Sequence, residues 1–577
     1  MSPARTSKAK NPRRFVLGLD FGTLSARALI VDARNGDEIA SAVCDYDDGV
    51  IETNLPGQKK SLPAHTALQN PADYLKAMRA AISKTLRMAK ISGEAIAGIG
   101  TDFTCCTILP TKADGTPLCL DPRWRGNPHA WVKLWKHHAA QPEADAINEL
   151  GRKRNERFVE TYGGKYSSEW FFSKLLETVR SAPEVYDAAD RFIEAGDWIV
   201  WQLCGQERRN LSAAGFKAMW VYPAPRRPET AQSAWAFPAR DFFKALHPKL
   251  ADVVAEKLNP ELFPLGACAG GLTPAMARLT GLRAGTPVAV GNIDAHVAVP
   301  ACTVTTPGKM VMIMGTSTCH LLLGESRQPV EGICGVVMDG IVPGLWGYEA
   351  GQAGVGDLFA WYVDHALPGY VELEARKAGL TEHEHLERAA TALKPGQSGL
   401  LVLDWWNGNR SVLVDAALTG LLMGATLATR PHEIYRALLE ATAFGTRKII
   451  EAFTSQGVRI EELYACGGLA AKNELLLQIY ADVTGRAIRK AASAQTSALG
   501  AAMHGAVASG IHPDIHAAAQ CMARVDKKIY QPNPESTRVY HRLYAEYTRL
   551  HDCFGRDANS VMKVLQRIQR ESHGGAH

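Results

Sequence analysis

A short Gly-Thr turn between two apolar runs occurs twice in this chain. The first copy, Phe15–Asp32, reads FVLGLDFGTLSARALIVD, and the second, Lys309–Leu323, reads KMVMIMGTSTCHLLL. Apolar runs of this length on both sides of a polar turn predict a buried β-hairpin. Glycine lets the backbone approach a ligand closely, and the N–H groups and hydroxyls of such a turn can face phosphate oxygens. Two such turns predict a duplicated domain that closes on a polyphosphate from both sides.

The length of the chain also predicts more than one domain. At 577 residues it exceeds what one hydrophobic core usually supports. The patterns predict a disordered basic tail at 1–14, a first domain at 15–300, a second domain at 301–530 and a charged helical segment at 531–577. The net charge of +5 is small and the basic residues are scattered, so nucleic acid is not a predicted partner.

Three further expectations concern the environment of the protein. No apolar stretch reaches the roughly eighteen residues that span a bilayer, so no membrane partner is predicted. The basic N-terminus lacks the apolar core of a secretory signal. The twelve cysteines form no CxxC pair, which favours a reducing cytoplasm. The sequence leaves oligomeric state and allosteric control open, a homodimer included.

Strand and helix patterns alternate along both halves, as in an α/β domain. In the first half they predict a strand at Glu38–Cys44, a helix at Pro71–Lys90 capped by Asn70, a polar turn at Thr101–Cys106, a tryptophan-rich helical lid or wall beside the sheet at 127–206 and a loop at Tyr222–Phe237. In the second they predict a strand at Val288–Val290, a turn at Gly291–Asp294, helices at Ala295–Cys302, Pro431–Thr454, Ala471–Thr484 and Ala498–Ser509, and a strand at Leu463–Cys466.

Asp20 and Arg27 lie beside the first glycine turn. Asp20 ends an apolar strand, so it either caps the turn or holds the water shell of Mg²⁺ between the β- and γ-phosphates, since Mg²⁺ prefers oxygen ligands. Arg27 lies on the returning strand, where it either meets a phosphate or remains a surface arginine. The turn residues Gly22, Thr23 and Ser25, with Gly315, Thr316 and Ser317 of the second copy, are the predicted phosphate contacts.

Asp294 is the predicted catalytic base. Phosphoryl transfer requires positioning, charge stabilisation and a carboxylate that accepts the hydroxyl proton. The Gly291–Asp294 turn between a strand and a helix places that carboxylate near the positive end of the helix. The alternative is a helix N-cap with no other role.

Several residues suit the remaining parts of a nucleotide and sugar site. Lys217 and Glu349 stand in apolar surroundings, so they are either exposed between strands or buried and paired. Gly467-Gly468, followed by Asn473, resembles a turn on which adenosine can lie. His129, His137 and His138 have no cysteine or acidic partner at zinc-site spacing, so no zinc site is predicted there.

Taken together, Asp20-x-Gly-Thr, Gly291-x-x-Asp294, Gly315-Thr-Ser and Gly467-Gly468 resemble the actin–hexokinase–heat-shock ATPase superfold and, within it, the sugar-kinase family of glycerol kinase and xylulokinase. The resemblance covers roughly residues 15 to 525. It implies an α/β fold with two duplicated actin/RNase H-like domains, each a mixed sheet flanked by helices, around an ATP cleft. It implies ATP and Mg²⁺ as cofactors, with Asp20 and Asp294 on the metal through water, and Gly467, Gly468 and Asn473 on the adenosine.

Four segments are similar to the ribulokinases of this family: GIGTDFTCCTILP (98–110), NPHAWVKLWKHHAA (127–140), AAGFKAMW (213–220) and GYEAGQAGVGDLFAW (347–361). That similarity implies that Lys217, Glu349, Asp294 and Cys105 line a sugar pocket. Trp135 is a wall of that pocket or ordinary core, and Cys105 is a backbone contact or a packing residue.

The sequence departs from the broader family at three places. The usual Pro-x-x-Lys-x-x-Trp stretch is only loosely matched by KYSSEWFFSKLLE (165–177). The second family signature, around Gly420–Glu440, fits only with Ala425 at a position where a larger aliphatic residue is usual. Asp-Phe-Thr-Cys stands where glycerol kinases carry Arg-Glu, which favours a ketopentose over glycerol. The predicted activity is ATP-dependent phosphorylation of L-ribulose in L-arabinose catabolism. The alternatives are a kinase of D-ribulose, xylulose or ribitol, and a non-kinase ATPase of the superfold.

Overall fold

The computed structural model describes residues 14–222, 237–556 and 559–572. Residues 1–13 of the predicted basic tail, nearly all of the predicted loop at 222–237 and the last residues of the C-terminal segment lie outside the described residues. All twelve cysteines lie within them as free thiols. Among the described helices, none is both long enough and apolar enough to cross a bilayer.

The first half of the chain builds one large sheet and a smaller one. Its strands are β1 (Phe15–Phe21), β2 (Ser25–Asp32), β3 (Glu38–Asp45), β4 (Leu68–Gln69), β5 (Ile96–Phe103), β6 (Ile108–Thr111), β7 (Val132–Lys133), β8 (Arg191–Glu194), β9 (Arg209–Asn210), β10 (Leu262–Phe263), β11 (Cys268–Gly271), β12 (Pro287–Ala289) and β13 (Asn292–Ile293). Its helices are α1 (Pro71–Ala89), α2 (Gln141–Arg154), α3 (Arg157–Thr161), α4 (Phe171–Ser181), α5 (Pro183–Ala188), α6 (Ala195–Cys204), α7 (Leu211–Lys217), α8 (Arg240–Leu246), α9 (Val253–Lys257), α10 (Pro274–Thr280) and α11 (Asp294–Ala301).

The second half builds the other large sheet. Its strands are β14 (Gly308–Met314), β15 (Thr318–Gly324), β16 (Gly335–Met338), β17 (Trp346–Gln352), β18 (Leu401–Leu403), β19 (Leu421–Met423), β20 (Ile460–Cys466), β21 (Ile488–Ala491) and β22 (Val525–Tyr530). Its helices are α12 (Gly356–Ala366), α13 (Gly369–Ala378), α14 (Glu382–Thr391), α15 (Pro431–Ser455), α16 (Gly468–Lys472), α17 (Glu474–Thr484), α18 (Thr496–Ala508), α19 (Ile515–Met522), α20 (Pro534–Gly555) and α21 (Val561–Ser572).

The two large sheets repeat one topology. In the first, the strand order β3-β2-β1-β5-β12 has an antiparallel hairpin at β1–β2 and parallel pairing of β1 with β5. In the second, the order β17-β15-β14-β20-β21 has the same hairpin at β14–β15 and parallel pairing of β14 with β20. Both predicted hairpins and the predicted class, α/β with two duplicated mixed sheets flanked by helices, are therefore confirmed.

Helix α1 follows the predicted capping. The side chain of Asn70 accepts a hydrogen bond from Ala72 N, and Pro71 occupies the first turn, where no intrahelical N–H partner is needed. The helix ends at Lys90, which adopts the left-handed conformation.

Three predicted boundaries were wrong. Thr101–Phe103 continues β5 instead of starting a turn, because its backbone pairs with β1 and β13. Asn292–Ile293 is a short strand and Asp294 already belongs to α11, so no free Gly291–Asp294 turn exists. The predicted helix at 471–484 is two helices, since the Asn473 side chain bonds Leu476 N and restarts the helix.

A helical layer lies between the two large sheets. Helices α11 and α18 share one hydrophobic core with residues of both hairpins, such as Val16 and Val311. Although α18 comes late in the chain, it packs against the first sheet at β1 and β5 through glycines. A Cβ on Gly100 would lie 1.8 Å from the Ala501 carbonyl oxygen, so only glycine permits this approach.

Residues of the region 106–258 form a separate wall beside the first sheet. Its core is aromatic, with Phe158, Tyr162, Tyr166 and Trp170 in mutual ring contact. Strands β7, β6 and β8 of the small sheet belong to this region, and β4 pairs with β7 from outside it. The predicted tryptophan-rich wall is thus a packed helical layer.

Candidate active site

The carboxyl ends of three parallel strands, β1, β5 and β13, meet at one edge of the first sheet. Asp20 pairs in register with Asp102, and Asp102 pairs in register with Asn292. Asp294 follows two residues after Asn292, at the first position of α11. The sheet therefore collects three carboxylates from distant parts of the sequence beside the first glycine turn.

Asp294 is half-buried, and its side chain makes one local bond. Its Oδ1 accepts a hydrogen bond from Ala295 N at 2.7 Å. Burial, followed by the carboxylates of Asp20 and Glu349, raises the pKa of Asp294 to about 7, although the Ala295 N–H and Lys217 act in the opposite direction. The N-cap of α11 is Ile293, so Asp294 is the first residue of the helix and not its N-cap.

Asp20 is buried at the end of β1 and paired with Arg27. Arg27 Nη1 donates to Asp20 Oδ2 at 2.9 Å. Burial raises the pKa of Asp20 above its usual value, while Arg27 and the Asp102 carboxyl oppose that rise. The Nε atom of Arg27 is also buried and has no hydrogen-bond partner among the described residues. Arg27 thus holds Asp20 and keeps one donor for another group.

Asp102 was not predicted as a site residue. It is 1% exposed, and neither of its carboxylate oxygens has a hydrogen-bond partner among the described residues. Burial, followed by Asp20 and Asp294, raises its pKa well above the ordinary range. A signal was present in the sequence, since Asp102 follows an apolar strand as Asp20 does, but the polar residues around it favoured a turn.

The first glycine turn is fixed by backbone and side-chain bonds. Gly22 N donates to Ser25 O at 3.0 Å, which closes the turn. Trp135 Nε1 donates to Thr23 Oγ1 at 3.0 Å, and Gln69 Nε2 donates to Thr23 O at 2.6 Å. The structure therefore places Trp135 against the turn.

The second glycine turn lies against the start of α12. Gly315 N donates to Ser317 O at 2.9 Å, and Gly315 O accepts from Gly356 N at 3.0 Å. Thr316 O accepts from Val355 N at 2.9 Å. The carbonyl oxygens of Gly315 and Thr316 thus accept hydrogen bonds from residues at the start of α12. The outer face of the turn makes none of these bonds and is available to another group.

Gly467 brings the predicted adenosine turn beside this second turn. Its φ is +91°, and a Cβ at this position would lie 2.5 Å from the Met314 carbonyl oxygen at the end of β14. Gly468 has no atom within 4 Å of an added Cβ, so its face is open. Asn473 accepts a hydrogen bond from Leu476 N at 2.7 Å and so fixes the start of α17.

Lys217 and Glu349 are buried and paired with each other. Lys217 Nζ donates to both Glu349 carboxylate oxygens, at 2.7 and 2.8 Å, although the two residues come from different halves of the chain. His296 Nε2 donates to Glu349 at 3.2 Å. Burial raises the pKa of Glu349, but Lys217 and His296 outweigh it and lower the pKa to about 2. Of the two open alternatives, the buried pair is the one the structure shows.

Cys105 lies close to this pair. Burial, followed by Cys106 and Glu194, raises the pKa of its thiol well above the usual value, while the nearby charge of Lys217 opposes the rise. Cys105 also packs against two of the hydrophobic cores, so it serves in packing whether or not its backbone contacts a ligand.

A second set of contacts joins the helical wall to the second half. Arg410 Nη2 donates to Glu169 at 3.2 Å, and His138 Nε2 lies 3.0 Å from the same carboxylate oxygen. Lys165 Nζ donates to Val414 O at 2.7 Å. His137, by contrast, lies 2.9 Å from Glu177 inside the wall. These histidines are therefore engaged by carboxylates.

Asp20 and Asp294, at the carboxyl ends of β1 and β13, fit a hydrated divalent cation. Asp20 and Asp294 supply oxygen ligands of the type that Mg²⁺ prefers. Within the described residues, no group of three His, Cys, Asp or Glu side chains is arranged to hold a metal ion directly. Mg²⁺ commonly keeps several waters and binds through one or two carboxylates and a substrate phosphate. Asp20 and Asp294 would hold such an ion through its waters.

Two surface cavities lie away from this edge. One of about 240 Å³ is lined by residues of α13, α14 and the start of α15, and one of about 230 Å³ lies near Glu325 and Arg459. Neither is lined by the residues described above.

Comparison with known proteins gives a consistent result. Residues 15–221 match the FGGY family of carbohydrate kinases, N-terminal domain, and residues 310–509 match its C-terminal domain. The chain is 53% identical to a ribulokinase of Shouchella clausii, over 98% of this chain and 99% of the relative. It is 48% identical to a ribulokinase of Mycolicibacterium smegmatis, over 97% of both chains.

Solved structures share the fold at lower identity. A xylulose kinase from Rhodospirillum rubrum aligns with a TM-score of 0.72 at 22% identity, covering 93% of this chain and 98% of that one. A Plasmodium falciparum glycerol kinase with ADP aligns with a TM-score of 0.73 at 15% identity, covering 94% and 99%. At these identities the likeness bears on the fold alone.

Proposed function

This chain belongs to the FGGY family of carbohydrate kinases, and we propose that it transfers the γ-phosphoryl group of ATP to the 5-hydroxyl of L-ribulose. The observation that carries the proposal is that Asp294 is close enough to both Asp20, at the first glycine turn, and the Lys217–Glu349 pair for their charges to act on its carboxyl group. Such a carboxylate lies close both to a phosphate site and to a group of buried charges suited to sugar hydroxyls. The near full-length likeness to ribulokinases supports L-ribulose as the sugar.

Asp294 accepts the proton of the sugar hydroxyl as that oxygen attacks the γ-phosphorus. The residue lies at the positive end of α11, which partly offsets the cost of burying its charge. Its pKa of about 7 matches a base that works near neutral pH.

The two glycine turns hold the phosphates from opposite sides. Residues Gly22, Thr23, Ser25 and Arg27 form one side, and Gly315, Thr316 and Ser317 form the other. When bound, Mg²⁺ would supply positive charge that offsets the charge on the phosphates, and Asp20 and Asp294 would hold it through its waters. Gly467 and Gly468 receive the adenosine, and Asn473 fixes the helix behind them.

Lys217 and Glu349 bind the hydroxyls of the sugar, next to the backbone of Cys105. A site with buried polar groups rejects analogues that leave those groups unpaired. Trp135 connects the wall of this pocket to Thr23 of the first glycine turn, so it couples the sugar side to the phosphate side. The proposed partners are therefore the sugar and ATP, and the free thiols support a reducing cytoplasm.

An ADP-release assay tests the proposal. The enzyme would be supplied with Mg-ATP and, separately, L-ribulose, D-ribulose, D-xylulose, ribitol and glycerol. We expect the highest kcat/KM with L-ribulose and little ADP release without a sugar, because a closed site excludes water. A clear preference for another of these substrates would replace L-ribulose, and sugar-independent turnover would remove the kinase assignment.

The pKa of Asp294 predicts a pH dependence. Below pH 7 its carboxyl is increasingly protonated and cannot accept the hydroxyl proton, so activity falls as pH falls. In the free enzyme, kcat/KM for L-ribulose should fall about tenfold per pH unit on the acid side. Initial rates at low sugar concentration between pH 5.5 and about 8.5 would measure this. A flat profile across that range would contradict the assignment.

Valine at Gly22 or Gly315 is predicted to block nucleotide binding. An added Cβ meets only Ser25 O at 3.6 Å in the first case and Ser317 O at 3.8 Å in the second, so the protein itself has room. The branched side chain would instead occupy the face of the turn that phosphate needs. Calorimetry with ADP should show at least tenfold weaker binding, about 1.4 kcal/mol.

Gly369→Val is the matched control for these variants. Gly369 lies at the start of α13, and an added Cβ there meets no atom within 4 Å. We expect this variant to fold and to bind ADP as the unmodified protein does. Normal ADP affinity in Gly22→Val and Gly315→Val would show that the turns do not hold phosphate.

A further inference from the structure

The carboxyl group of Asp102 is buried against that of Asp20 and receives no hydrogen bond from any described donor group. The residue is 1% exposed, and both carboxylate oxygens lack a hydrogen bond among the described residues. Buried polar side chains in folded proteins nearly always have a partner, and a buried charge is costly without one. A buried carboxyl group with another carboxyl group beside it, at the edge of a proposed active site, indicates a donor or cation that arrives with the substrate.

The position of Asp102 is rigidly fixed. Gly100, two residues earlier on the same face of β5, lies against the Ala501 carbonyl, and Gly18 of β1 lies against the Ala498 carbonyl in the same way. This contact presses both strands onto α18. Asp102 therefore cannot move out to solvent, and it stays in register beside Asp20.

The charges around Asp102 are unbalanced. Asp20 and Asp294 are the carboxylates that act on it, and Arg27 is the cation that opposes them. Arg27 is already bonded to Asp20, and Lys217 is bonded to Glu349. A positive charge brought to this edge would offset the repulsion among the three carboxylates.

We propose that Asp102 is a further carboxylate of the divalent-cation site, accepting hydrogen bonds from the waters of Mg²⁺ beside Asp20. The inference rests on the proposed function, because the cation is the one that accompanies ATP. Since no three side chains among the described residues are placed to ligate an ion directly, Asp102 acts through the water shell. Both of its unpartnered oxygens are then satisfied.

Titration calorimetry with ADP, in Mg²⁺ and in EDTA, tests this role. The dissociation constant in EDTA divided by that in Mg²⁺ measures how much the cation strengthens ADP binding. We expect Asp102→Asn to reduce that ratio about 10- to 100-fold, as loss of an outer-shell partner does. ADP affinity in EDTA should stay the same or rise, because a negative charge near the phosphates is gone. Asp102→Ser, a smaller neutral substitution, should reduce the ratio similarly.

Asp73→Asn is the matched control. Asp73 lies on α1, is 6% exposed and belongs to neither glycine turn. The ratio of ADP dissociation constants for Asp73→Asn should therefore equal that of the unmodified protein. Thermal unfolding without ligands gives a second readout: Asp102→Asn should not lower Tm, since it removes a carboxyl group whose charged form is disfavoured by burial and by the neighbouring Asp20 and Asp294.

The outcomes separate this inference from the proposed function. If the unmodified protein gains ADP affinity from Mg²⁺ and both Asp102 variants keep that gain, the inference is overturned and the proposed function stands. A raised KM for sugar with an unchanged Mg²⁺ ratio would also overturn it, by placing Asp102 on the sugar. No Mg²⁺ effect in the unmodified protein would overturn the inference, and the ADP-release assay would still decide the proposed function.

Discussion

Replacing Asp294 with asparagine is expected to lower kcat about 10²–10⁴-fold while ADP binding persists. Asparagine preserves the shape of the side chain but cannot accept the hydroxyl proton. Its position at the start of α11, with a single bond to Ala295 N, requires little of the rest of the fold. Steady-state kinetics with L-ribulose and calorimetry with ADP would measure the two effects separately.

The control for this variant is again Asp73→Asn, which removes a buried carboxylate outside the site. That variant should keep its kcat. Near-normal turnover in Asp294→Asn would remove Asp294 from the role of base. Loss of ADP binding together with turnover would instead indicate that its main role is to hold the cation or the phosphates.

Breaking the Lys217–Glu349 pair is the second large effect that we expect. Lys217→Met leaves the Glu349 carboxylate buried with only His296, and removing one partner of a buried pair costs about 3–5 kcal/mol of stability. The same variant should raise KM for L-ribulose roughly tenfold or more, because a bond to a sugar hydroxyl is lost. KM for ATP should stay nearly unchanged. Chemical denaturation and steady-state kinetics would measure both effects.

The double variant Lys217→Met/Glu349→Gln distinguishes a structural role from a binding role. Removing both charges leaves neither one unpaired, so stability should recover toward that of the unmodified protein. KM for L-ribulose should remain high, because neither group can bind the hydroxyls as before. Recovery of both stability and sugar affinity would make the pair purely structural, and weakened ATP binding with unchanged sugar affinity would move it out of the sugar site.

The sequence was sufficient to predict the elements that depend on local pattern. The hairpins at Phe15–Asp32 and Lys309–Leu323 were predictable because apolar runs and glycine turns are local signals, and Asn70 and Pro71 mark the start of α1 in the same way. The repeated glycine turn predicted that the two sheets would be alike.

The contacts between distant segments could not be predicted in that way. The pairing of Lys217 with Glu349 joins residues 132 positions apart, and no local pattern encodes it. The packing of α18 on the first sheet depends on Gly18 and Gly100, whose role appears only when Ala498 and Ala501 lie against them. The sequence predicts a turn at Asp102 because polar residues surround it. Backbone pairing with β1 instead makes Asp102 part of strand β5.

The most direct test of the central claim is the position of the phosphate on the product. The enzyme would be incubated with Mg-ATP and L-ribulose, and the product examined by two-dimensional phosphorus–proton correlation NMR. We predict one sugar phosphate whose phosphorus couples to the methylene protons at C5, formed with one ADP per sugar. A phosphorus signal that couples to the methylene protons at C1, or the absence of a sugar phosphate despite ADP formation, would contradict the proposal.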